Sequence, residues 1–223
     1  MSIVFKKFII FIVFFLSFIQ LPFAQNIIVT TGLNLSNMLA NYDDLTLGEN
    51  LSMKPGFHVG TTFSFPISDI ISFEPCILFE TKGFKFKENV LGIKTVLTTN
   101  LYYVDIPMSA KVNYSINDDI SVFGGFGPYL GLGLIGNIKT KFNVWGYKET
   151  EKEKLDWGNN EEEDDLKRFD FGLTFRAGAN YKMFQASISY DIGLVNISSY
   201  TEDETKAKNR VLRFSIGYLI REN

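Results

Sequence analysis

The chain has one histidine, so His58 is its only side chain suited to act as a neutral-pH general base toward a hydroxyl nucleophile. Ser64 or the acids of the preceding loop would be its helpers in a hydrolase or acyltransferase. No triad-like spacing surrounds it, and it lies in an alternating segment where a lumen or rim side chain is the ordinary role. Cys76 is the single cysteine, which excludes an internal disulfide and any multi-cysteine metal centre. It reads as a small inward residue. Gly124, Gly125, Gly127, Gly131 and Gly133 superficially suggest a phosphate loop, but they follow strand alternation with no helix behind them and suit close packing in a narrow barrel. Residues 148–165 carry nine acidic against three basic side chains. Such a cluster would suit a hard divalent cation or a partner surface, yet it lacks EF-hand spacing and reads as a solvated, mobile loop. No catalytic residue, metal ligand or cofactor site is therefore expected, and no enzyme activity.

The informative polar set is a different one: Glu74, Glu80, Lys82, Asp105, Lys111, Arg176, Asp191 and Arg213, charges of both signs on otherwise small-polar faces. Positioning them requires strands. Past residue 25 a period of two recurs and a period of 3.6 does not. From Tyr102 to Tyr114 the even positions are Tyr, Val, Ile, Met, Ala, Val and Tyr, while the odd positions include Asp105, Ser109 and Lys111. At about 3.3 Å per residue and a tilt near 40°, the two tyrosines stand about 30 Å apart, the thickness of a bilayer. Phe169 to Tyr181, Phe184 to Leu194 and Leu212 to Ile220 repeat the pattern.

A soluble barrel hides its apolar face, whereas a membrane barrel exposes it. The polar faces here mix Ser, Gly, Thr and Asn with isolated charges rather than the dense Lys/Glu cover of a water-facing surface, which favours the membrane barrel over a soluble barrel or sandwich. Eight segments emerge: 26–35, 55–66, 70–82, 100–114, 119–135, 168–181, 184–195 and 209–220. Connections alternate between tight turns (66–69, 115–118, 182–183) and long stretches (36–54, 83–99, 136–167, 196–208). The fold expected is all-β: an eight-stranded antiparallel up-and-down transmembrane β-barrel with short periplasmic turns and long extracellular loops. Ten strands result if 83–99 or 136–147 adds a hairpin. An even, closed set leaves no unpaired edge in lipid.

Residues 1–24 open with Lys6 and Lys7, run apolar from Phe8 to Ile19 and end at Ala24, as a secretory signal peptide does. A retained membrane helix is the alternative, although the run is short for a bilayer. Cleavage near Ala24/Gln25 leaves residues 25–223 as the barrel domain. Its 20 basic and 25 acidic residues carry no cationic footprint for nucleic acid.

Gly32-Leu33-Asn34-Leu35-Ser36, Glu80-Thr81-Lys82-Gly83, Leu101-Tyr102-Tyr103-Val104-Asp105-Ile106-Pro107, Gly125-Phe126-Gly127-Pro128-Tyr129-Leu130-Gly131 and Phe214-Ser215-Ile216-Gly217-Tyr218 occur in an order and spacing that cover nearly the whole mature chain. In these the sequence resembles the PorT-like outer-membrane β-barrel proteins common in Bacteroidota. The resemblance implies an outer-membrane location without a uniform activity. Arg221-Glu222-Asn223 depart from the aromatic terminus on which such barrels often end.

In a barrel of eight strands the interior is just wide enough for side chains, and an isolated buried charge is very costly, so the eight charges are expected to pair into a plug. The function expected is a small barrel with a structural or interaction role. The alternatives are a narrow channel or a secretion accessory, with a membrane-embedded hydrolase or acyltransferase behind them. Its partners would be outer-membrane lipids, the outer-membrane insertion machinery, and an extracellular or secretion-system partner reached by the long loops.

Overall fold

The computed structural model describes residues 26–42, 45–46, 51–90, 93–144, 147–158, 160, 163–200 and 206–221. The expected leader and the last two residues lie outside that set. The strands are β1 (Asn26–Tyr42), β2 (Leu45–Thr46), β3 (Leu51–Ser52), β4 (Lys54–Pro66), β5 (Ile71–Lys82), β6 (Lys85–Val90), β7 (Ile93–Ser115), β8 (Ile120–Val144), β9 (Tyr147–Leu155), β10 (Phe169–Tyr181), β11 (Phe184–Gly193) and β12 (Lys206–Arg221). Antiparallel pairing runs β7-β5-β4-β1-β12-β11-β10-β8, and β8 returns to β7, closing a ring of eight. Every expected segment has its counterpart in that ring. The first and last strands meet along nearly their full length, with Asn26 opposite Arg221.

Alternation divides the ring into two surfaces. Inward positions are polar and buried: Thr30, Asn34, His58, Thr62, Glu74, Glu80, Asp105, Thr174 and Asp191 are each less than 10% exposed. Outward positions are apolar and exposed, with Leu33 at 69%, Phe126 at 63% and Ile216 at 67%. A water-soluble fold of this size would do the opposite.

Two of the connections expected as loops are built differently. Within 83–99, β6 pairs back on the first part of β7, Lys85 opposite Thr98. Within 136–167, β8 runs on to Val144 and β9 pairs with it, Gly136 opposite Leu155. The acidic run therefore begins as a strand, and the reading of all of 148–165 as a mobile loop is corrected. Lys85-Phe86-Lys87 and Lys148 to Lys154 lack the apolar face by which the ring strands announce themselves, because they stand above the ring. Neither hairpin adds a ring member. Together β6, the upper half of β7, the upper half of β8 and β9 make a wing of four long strands, and the two-residue β3 pairs along the outer edge of β6, Ser52 opposite Lys85. Where the wing leaves the ring, β8 carries one extra residue: Tyr103 lies opposite Gly133 but Tyr102 opposite Ile135, so Leu134 is bulged.

Described residues of the connections after β9 and β11 fold over the mouth of the ring beneath the wing. Met38, Leu101, Tyr103, Leu155, Ile197 and Ala207 form an apolar core there, with Phe84, Ile138, Trp157 and Leu166 packed against it. Trp157 stands edge-on to Tyr103, with 5.7 Å between ring centres. It fills the space at Gly133, where a Cβ would come within 2.3 Å of the indole.

Candidate functional site

Beneath this cap the inward charges gather in two tiers. The upper tier is drawn from β5, β7, β10, β11 and β12. Lys82 Nζ lies 2.6 Å from Asp105 Oδ2, 3.2 Å from Asp170 Oδ2 and 3.6 Å from Glu80 Oε1, with all four side chains inaccessible to solvent or nearly so. Tyr103 and Tyr129 flank the ammonium, their ring centres 4.5 and 4.9 Å away. Arg213 donates from Nη1 to both Glu80 oxygens at 3.0 and 3.1 Å, and from Nη2 to Asp191 Oδ1 at 2.5 Å. Tyr129 Oη and Asn209 Nδ2 donate to Asp170 Oδ2 at 3.1 and 2.8 Å. Lys54 reaches in from the rim and donates to the Lys82 carbonyl at 3.2 Å.

The lower tier is smaller. Glu74 pairs with Lys111, and with Arg176 Nη1 at 3.4 Å; Arg176 also donates to Gln185. Phe123 lies under both cations, 4.9 Å from Lys111 Nζ and 5.1 Å from the Arg176 guanidinium.

All eight charges singled out in the sequence face inward and are brought together, in these two groups. Sequence reasoning omitted Asp170, Lys54, Tyr129 and Asn209. Asp170 was visible as an inward acid beside Phe169 and Phe171, but nothing local marks it as the partner of a lysine 88 residues away. Counting Lys54 and Asp170, the described lumen residues include five cations and five carboxylates. Nine of the ten are held in the ion pairs above, which is what lets them be buried, while Lys54 is held by the Lys82 carbonyl.

Glycine makes the upper tier reachable. At Gly131 a Cβ would fall 2.7 Å from Asp105 Oδ1 and 3.1 Å from the Asp170 Cβ. Gly131→Ala is therefore expected to push Asp105 off Lys82 and lower stability by about 1–3 kcal/mol, as overpacking does. The check is the urea midpoint of the refolded protein, which should shift in this variant but not in Gly124→Ala, where a Cβ meets nothing within 4 Å.

Between the tiers lies a cavity of about 40 Å³, lined by His58, Cys76, Thr174, Ser215 and others. That is room for a few waters. His58 Nε2 lies 2.9 Å from Ser215 Oγ across the seam to β12. Ser64, its expected helper, is six residues along the same strand and about 20 Å away at strand rise. The acids of the preceding loop lie outside the described residues. The histidine–serine contact thus lies in a chamber with room for a few waters. Glu80, Asp105 and Asp191 bring carboxylate oxygens within 4.8 Å of one another, and each is already paired with Lys82 or Arg213.

A closed, polar-lined ring with an apolar exterior is the architecture of an outer-membrane barrel. Residues 23–199 match the family described as outer membrane protein beta-barrel domain. The chain belongs to that family. No curated protein matches it. Among solved structures it is similar to Ail, the attachment invasion locus protein of Yersinia pestis, in complex with the heparin analogue sucrose octasulfate (16% identity, 87% of this chain and 98% of that one, TM-score 0.40). It is also similar to Neisserial surface protein A (12%, 88% and 97%, 0.43) and to OprG from Pseudomonas aeruginosa (12%, 90% and 98%, 0.47). Membership rests on the family match, which covers most of the chain.

Proposed function

We propose that this family member is a plugged transmembrane barrel, and that its work is done by the structure it carries above the membrane rather than by a pathway through it. In this reading the apolar exterior faces lipid, the turns at 67–70, 116–119 and 182–183 and both strand ends lie in the periplasm, and the wing and cap face outward. The observation that carries it is the filled lumen: two tiers of paired charge under an apolar cap. Within the family we read the chain as PorT-like, on the Leu101–Pro107 strand and the glycine-rich strand that pairs with it. A structural or interaction role follows, with an extracellular or secretion-system partner engaging the outer end.

An ion crossing this lumen would have to strip the carboxylates from Lys82 and Arg213, and each such exchange leaves a buried charge alone. Planar-bilayer recordings of the refolded protein are expected to stay silent across a range of voltages. Reproducible unitary conductance would overturn the reading in favour of the narrow channel.

A further inference from the structure

The wing has two chemically opposite faces. Residues directly opposed in an antiparallel pair project to the same side, and the hydrogen bond from Asn100 Nδ2 to Asn137 Oδ1, 3.1 Å, shows the alignment at the base of the wing. One row above it reads Lys85, Thr98, Lys139, Lys152 across the four strands. The next reads Lys87, Val96, Lys141, Thr150. Lys154 joins the base row and Lys94 the outermost. Among the described side chains this face carries seven lysines and no carboxylate. The opposite face carries Glu88, Glu149, Glu151 and Glu153 among apolar residues such as Phe86, Leu97 and Phe142.

Lys139 and Lys152 stand directly opposite each other, a like-charge pairing that costs stability in a sheet. None of the seven lies within ion-pair distance of a carboxylate among the described residues. Among the described residues the face is therefore a cationic surface without paired carboxylates, about 14 Å across at a strand spacing near 4.8 Å. Its position is as telling as its charge. Thr98, Asn100 and Tyr102 alternate onto the same outward side of β7, and Asn137 and Lys139 continue the outward side of β8 above Ile135, which is 62% exposed. Four residues separate Ile135 from Lys139, about 13 Å along the strand and about 10 Å in height. The lysines thus begin where the apolar belt stops, at head-group level.

We infer that this lysine face binds the phosphorylated glycolipid head groups of the outer leaflet surrounding the barrel. The inference rests on the membrane-spanning reading above, and adds to it a ligand chemistry and a site. A soluble polyanion would be drawn by the same charge, but continuity with the lipid-facing belt favours a ligand held at the bilayer surface.

The test uses the mature protein reconstituted in phosphatidylcholine nanodiscs, with lipid A or its dephosphorylated form added and retained lipid counted by native mass spectrometry. Lipid A is expected to be retained in preference, with affinity falling as salt rises. Lys139→Gln, Lys141→Gln and Lys152→Gln combined should weaken retention roughly 100-fold, about fivefold per lysine beside an anionic surface. Lys182→Gln, at the opposite end of the barrel, should leave it unchanged. Equal retention of the two lipids, or an unaffected triple variant that still shows barrel-type heat modifiability, would overturn the inference. So would binding of soluble heparin with no lipid A preference. Failure to enter the phosphatidylcholine disc at all would instead sink the membrane-spanning reading, and is seen before lipid A is added.

Discussion

Replacing Lys82 by methionine is expected to destabilise the barrel by about 3–5 kcal/mol, the range seen when one partner of a buried ion pair is removed. The side chain is of similar length and fills the same space between Tyr103 and Tyr129, so the loss isolates the charge. Asp105, at 2.6 Å, would keep a buried carboxylate with no cation, and Asp170 would keep only its bonds from Tyr129 and Asn209. Urea unfolding followed by tryptophan fluorescence is a direct readout, because Trp157 packs on Tyr103 beside this lysine. Lys82→Met with Asp105→Asn should recover part of the loss. If the single variant unfolds at the wild-type midpoint, the upper tier is not the stabilising network described.

The second large effect is on the outer surface. Phe126→Arg is expected to cost about 2–4 kcal/mol in a lipid bilayer, the cost of a cation near the midplane of a barrel's lipid face. Phe126 is 63% exposed and central in the apolar part of β8. On a water-soluble barrel the same substitution at so open a position would be near neutral. The sign of the outcome therefore reports which solvent wets the exterior. Folding yield into phosphatidylcholine vesicles, scored by heat modifiability, measures it, and an undiminished yield would argue against a lipid-facing belt.

How much of this was legible in the chain depends on the range of the physics involved. Strand alternation is local, so the eight ring strands and the inward direction of Glu74, Glu80, Asp105 and Arg213 could be read within a few residues of each. Pairing is not local. Arg213 meets Glu80 across 133 residues, and which acid meets which base is decided by ring order and register. The wing was read only as an optional hairpin at 83–99 or 136–147, because in the membrane-spanning reading its strands lie outside the hydrocarbon and need no uniformly apolar side, so Lys148 to Lys154 resembled a charged loop. The cap escaped for a related reason: Trp157, Leu166 and Ile197 sit in connections with no periodicity, and their apolar character has meaning only once the mouth beneath them exists.

The bulge at Leu134 separates two alternations within β8. Up to Gly133 the odd-numbered residues of β8 point to the axis; from Gly136 onward the even-numbered ones do. The strand is thus spelled in two parities, and the spare residue restores phase between them. Residues distal to it can therefore keep their own alternation without altering which way any residue of the ring points.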